Sequence, residues 1–174
     1  MARKKDSREL PAAQPESEFV KAAKKAGLLP EAGKGAVERQ YRNVITAKDA
    51  GTRFTGSVDL DAAFKAEEPG ANRWDYGLGL KKGDKPELAI WVEPHPGSST
   101  GEVKTVLAKL DWLEGKLALR HFAGLRELTD EARRQGIMPY VWLSSGPVSI
   151  RPGSREANLL AARGMVLPRS YLEI

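Results

Sequence analysis

The chain contains no cysteine and only two histidines, His95 and His121. The first absence excludes a disulfide framework, a thiol nucleophile, cysteine-bound zinc and iron–sulfur clusters. The second excludes a multi-histidine metal centre but leaves a carboxylate-bound hard cation open. Lack of cysteine fits a reducing compartment, and the expected location is the cytoplasm. No apolar run approaches the roughly 18 residues that span a bilayer, and the opening residues lack the apolar core of a secretory signal. No membrane partner is therefore expected. Neither sign of charge dominates: 28 basic residues face 23 acidic ones, a net +5. That balance permits a phosphate-backbone partner without requiring one. Apolar residues make up 41% of the 174, enough for a real core in one domain.

Residues 1–34 read as a basic, largely flexible N-terminal arm carrying one short helix at about 17–26, and residues 35–174 as a single α/β domain. The arm holds eight basic and five acidic residues. It suits nucleic-acid contact, and equally a solubilising terminus. The stretch Gly27 to Gly35 superficially resembles a phosphate-binding loop. Five residues separate Gly27 from Gly33 where four are needed, and Gly35 stands in place of Ser or Thr. Nucleotide hydrolysis is rejected on that spacing.

Along the domain, a helix is expected over about 35–50, then a strand over Thr52–Asp59. Trp74, Tyr76, Leu78 and Leu80 alternate with Asp75, Gly77 and Gly79, which predicts a strand over Arg73–Lys82. Turn residues Lys82 to Lys85 lead into a second strand, Glu87–Val92. Ser99 and Glu102 have capping-box spacing at the head of a long helix, about 100–121. A polar helix over about 124–135, a strand over Met138–Ile150 and a Ser154-capped helix over Arg155–Arg163 complete the order. This is an α/β fold: a central mixed sheet of about four strands in a helix–strand–strand–strand–helix–strand core, flanked by helices.

The most informative residues are acidic. Centring the turn on Asp84 pairs residues whose numbers sum to 168, so Asp75 falls opposite Glu93 across the hairpin. Strand alternation puts His95 on the same face as Glu93. Two facing carboxylates can hold one magnesium ion together with waters and phosphate oxygens. Such an ion activates water for phosphodiester hydrolysis. An ordinary loop entry accounts for the same residues.

In this order of elements, with Asp75 and the run Trp91-Val92-Glu93-Pro94-His95, the chain resembles the PD-(D/E)xK nuclease superfamily, of restriction-endonuclease-like fold. The resemblance covers roughly residues 35–150, and its motif is a degenerate D…ExH. It implies a metal-dependent endonuclease that hydrolyses DNA or RNA, with Mg2+ or Mn2+ on Asp75 and Glu93. With no recognition helix or RNA-binding aromatic motif in the sequence, backbone contacts are the expected mode of nucleic-acid binding. His95 stands where that family has Lys, and no Pro precedes Asp75. The resemblance allows the Lys to come from the following helix, where Lys104 is the candidate and Lys109 lies farther around. His95 or Lys104 would orient water or stabilise charge. Glu38 matches a place where some members add an acidic ligand. The alternative is a catalytically inactive binding subunit on the same scaffold, docking a larger protein or nucleoprotein partner.

Further features carry two readings each. Asp59 and Asp61, two apart, either add a metal ligand near Asp75 or form a solvated strand end. The loop from Pro96 to Gly101 either receives phosphate at a helix N-terminus or simply caps that helix. Trp112 falls opposite the apolar stripe of its helix, as expected for a protein partner, a homo-oligomer contact or a second packing layer. Eight arginines between Arg120 and Arg169 suit phosphate contacts, and equally a solvated face.

Overall fold

The computed structural model describes residues 15–174. Four strands form the main sheet: β2 (Thr52–Asp59), β3 (Tyr76–Lys82), β4 (Leu88–His95) and β5 (Tyr140–Ser144), in the order β2-β3-β4-β5. The first two pairings are antiparallel and the last is parallel, so the sheet is mixed as expected. A parallel neighbour requires a crossover, and the long helix α4 (Glu102–Leu117) followed by α5 (Ala123–Arg134) supplies it. Tyr76 pairs with Val92 and Leu80 with Leu88, which is the register that the turn at Asp84 predicts.

Both faces of the sheet are buried. One face packs Val58, Ala89, Trp91 and Trp142 against helices, including α1 (Glu18–Lys25), α4 and α6 (Arg155–Ala162). The other packs Leu78, Leu88, Ile90 and Val92 against Val37, Ile45, Leu172 and Ile174. On the helix-covered face β3 carries glycine at 77 and 79, because no side chain fits there. A Cβ on Gly77 would lie 2.5 Å from the Trp91 ring, and one on Gly79 would lie 2.5 Å from Phe19.

Several expectations change. Residues 17–34 are not a flexible arm, so the boundary at residue 34 falls away. Phe19 and Ala23 of α1 are fully buried, and the Glu87 carboxylate accepts the amides of Glu18 and Phe19, each at 3.0 Å. Ser17 caps the same helix, accepting from Val20 N–H. The reading of residues 1–14 as a basic arm lies outside the described residues.

The helix expected over 35–50 shrinks to α2 (Arg39–Arg42). Beyond it, the β-branched run Val44-Ile45-Thr46 enters β1 (Ile45–Thr46), which pairs in parallel with β6 (Leu172–Glu173). A distant strand thus overrides the local helical pattern. Lys34 donates to the carbonyls of Arg42 and Ile45, so the one lysine of the loop-like glycine stretch serves the backbone. β5 stops at Ser144, where Ser145-Gly146-Pro147 cannot continue a ladder. A short helix absent from the sequence reading, α3 (Leu60–Phe64), follows β2 directly.

Candidate active site

β4 outruns β3. Tyr76, the first residue of β3, pairs with Val92, so Glu93, Pro94 and His95 pair with β5 alone. The free edge explains how a proline is accommodated in a central strand, since its missing N–H would have no partner on that side. Asp75 lies immediately before β3, beside this free edge. Its amide donates to Glu93 Oε2 at 3.1 Å, which ties the two acidic residues together across the hairpin.

Glu93 is fully buried and Asp75 is partly exposed. The cation between them comes from α4, and it is Lys109. Its Nζ reaches Asp75 Oδ1 at 3.2 Å and also donates to Glu93 Oε1. Burial, and next the charge of Asp75, push the Glu93 carboxyl up to about 8, against the opposing pull of Lys109. Burial also raises Asp75, offset in part by Lys109, with the charges of Asp61 and Asp59 adding to the rise. Burial disfavours the Lys109 ammonium, but Glu93 and Asp75 outweigh it and hold its pKa above the ordinary lysine value. We take Lys109 as charged and Glu93 as the member that retains a proton near neutrality. The triad is then neutral overall.

His95 extends the cluster. Its Nε2 lies 2.5 Å from Glu102 Oε2, and its Nδ1 lies 3.8 Å from Glu93 Oε1. Trp142 Nε1–H donates to the His95 carbonyl at 2.9 Å and anchors the strand end from β5. With Glu102 accepting from Nε2–H, the imidazole turns Nδ1 towards Glu93. Five side chains from the hairpin and one helix thus form a continuous row: Asp75, Lys109, Glu93, His95, Glu102.

Three of the expected residues, Asp75, Glu93 and His95, come together, and three do not. Lys104 is exposed on the other flank of α4, lining the groove beside Arg155 and Arg163 of α6 and its C-terminal end. Five residues turn a helix by about 500°, so Lys104 and Lys109 cannot share a face. Glu38 is exposed at the start of α2 and accepts from Gln40. Asp59 caps α3, accepting from Ala62 N–H at 2.8 Å, and Asp61 pairs with Arg73. Among the described residues, no three His, Cys, Asp or Glu side chains gather as a metal-binding group. An ion here would therefore rest on two protein carboxylates.

The capping box also fails, for an instructive reason. Glu102 is committed to His95, and the Ser99 hydroxyl accepts from Gly101 rather than from Glu102. Sequence reasoning missed Glu102 and Lys109, although a signal exists. Glu102, Lys109 and Lys116 recur every seven residues, about two turns, along one border of the apolar stripe. Each meets a partner on the hairpin side or on the segment after α3: His95, the Asp75–Glu93 pair and Glu68.

Trp112 is covered within the chain. Its ring packs edge-on against Phe64 at 5.4 Å, and its Nε1–H donates to Glu68 Oε2 at 2.6 Å. The unforeseen helix α3 and the residues after it form a second packing layer over this half-buried ring.

Comparison of the chain with known protein families, with curated proteins and with solved structures finds no match. No helix among the described residues is long and apolar enough to cross a membrane.

Proposed function

We propose that this protein is a metal-dependent nuclease-like hydrolase acting on nucleic-acid phosphodiester bonds, as its resemblance to the PD-(D/E)xK superfamily implies, and that it works in the cytoplasm. The observation carrying this reading is the convergence of Asp75, Glu93 and Lys109 where β3 and β4 part. The donor set fits the ion. Two adjacent carboxylates give the hard oxygen ligands that Mg2+ or Mn2+ combines with waters and substrate phosphate. Bound there, the ion would supply a Lewis acid and a water of lowered pKa.

The chain's own groups divide the remaining work. Asp75 and Glu93 fix the position of the site through their shared hydrogen bond. Lys109 brings a positive charge suited to a phosphate oxygen. His95, oriented by Glu102, presents Nδ1 beside Glu93 and can take up a proton there. The phosphodiester is common to DNA and RNA, and contacts to it carry no sequence information.

A second reading draws on one specific observation. Lys109 already bridges the two acids, as it would in a catalytically inactive nuclease fold used as a binding subunit.

A cleavage assay separates the two. Wild-type protein is incubated with single- and double-stranded DNA and RNA in Mg2+, Mn2+ or EDTA, alongside Asp75→Asn. Cation-dependent cleavage lost in Asp75→Asn supports the hydrolase. No cleavage of any substrate by folded wild-type protein assigns the inactive scaffold.

A further inference from the structure

Lys109 touches both carboxylates that a divalent ion would need. Its side chain is 18% exposed, Asp75 is 25% exposed and Glu93 is fully buried, so the cluster has little open room. Among the described residues Lys109 is the one lysine or arginine that contacts this pair; the other basic group nearby is His95, with Nδ1 3.8 Å from Glu93 Oε1. Lys104 lies on the opposite flank, and Lys116 is held by Glu68 beside the Phe64 and Trp112 rings. Buried charge needs a compensating partner. In this structure Lys109 is the cation that bridges both acids.

We propose that Lys109 and a divalent cation are mutually exclusive occupants of the Asp75–Glu93 pair, so that cation binding displaces the ammonium. This rests on the metal-dependent reading of the same site and adds its regulation. Two positive groups cannot share the same carboxylate oxygens without repulsion. The displaced side chain stays at the rim, because its helix is fixed: Val106 and Leu110 beside it are fully buried. Removing the cation lets the ammonium return. The lysine thus keeps the carboxylates paired when no ion is bound, and its charge becomes available to an anionic ligand only when one is.

Two measurements on the full chain test this, neither of them an activity. The first is Mn2+ titration by calorimetry of wild type, Lys109→Met and Asp75→Asn. With the competitor gone, Lys109→Met binds Mn2+ about tenfold or more tighter than wild type, and Asp75→Asn loses binding. Equal or weaker binding by Lys109→Met overturns the exclusion.

The second uses wild type alone and so does not depend on a variant folding. Reductive methylation is followed by mass spectrometry with and without saturating Mg2+. Labelling of Lys109 rises several-fold with the ion, while exposed Lys104 serves as an unchanged reference. If the ion binds and Lys109 labelling stays level or falls, the displacement is wrong. If neither wild type nor Lys109→Met binds Mn2+ or Mg2+ at millimolar concentration, the metal-dependent reading itself fails, and this inference with it.

Discussion

At the scale of single residues, Glu93 carries the most consequence. It is a fully buried acid whose charge is opposed by burial and by Asp75. Its ordinary value is 4.5, and the fold pushes it up to about 8. Between these values the unfolded chain has released a proton that the folded chain keeps. Metal-free stability should therefore fall as pH rises from about 4.5 to about 8 and level off above. The span is on the order of 5 kcal/mol. Urea midpoints in EDTA at pH 5, 7 and 9 check this, and Glu93→Gln should flatten the profile. An unchanged slope in that variant would assign the pH dependence to other groups.

Trp112 makes a second residue-scale case. Its indole N–H is satisfied by Glu68 and its ring by Phe64, so Trp112→Ala should cost about 2–3 kcal/mol without altering the assembly state. Denaturant melts paired with light scattering read both quantities. A variant as stable as wild type but changed in size would restore the partner reading of this face.

At the scale of elements, α1 and α4 are fastened to the sheet by opposite devices. α1 is short, and an isolated helix of eight residues has little stability of its own. Phe19 fills the space left by Gly79, and Glu87 accepts the amides at its N-terminus. Removing that acceptor leaves those amides without their partner. Glu87→Ala is expected to cost about 2–4 kcal/mol and to speed hydrogen exchange throughout α1 first. A loss below about 0.5 kcal/mol would mean that packing alone holds the helix.

α4, by contrast, is held by its stripe of Val103, Val106, Leu110, Leu113 and Leu117. Its polar border is then free to serve the hairpin. Glu102 therefore binds His95 and closes no capping box with Ser99. The Ser-x-x-Glu spacing is a local signal, while His95 reaches the same carboxylate from a strand seven residues earlier.

At the scale of the whole molecule, the four-stranded sheet and the opposition of Asp75 and Glu93 were legible in the sequence. They follow from short-range regularities: alternation along two strands and a turn whose centre sets their register. Helix α2 and strand β1 were not, because Val44 to Thr46 adopt their conformation only against Leu172 and Glu173, far away in the chain. Lys109 was half legible. Its helix was expected, but which lysine faces the hairpin depends on where α4 sits on the sheet, and that depends on the buried stripe rather than on distance from His95. Glu38 and Asp59 failed for a related reason. Their side chains are taken up locally, Glu38 by the Gln40 amide and Asp59 by the cap of α3.

The central claim is that the hairpin acids form a cation site which Lys109 occupies in the ion's absence. Its most direct test is a crystal of the full chain soaked in Mn2+, with anomalous data collected before and after the soak. The account predicts an anomalous peak between the Asp75 and Glu93 carboxylates, with Lys109 withdrawn from both. Saturating Mn2+ with no peak there, and Lys109 still bonded to both acids, would contradict it.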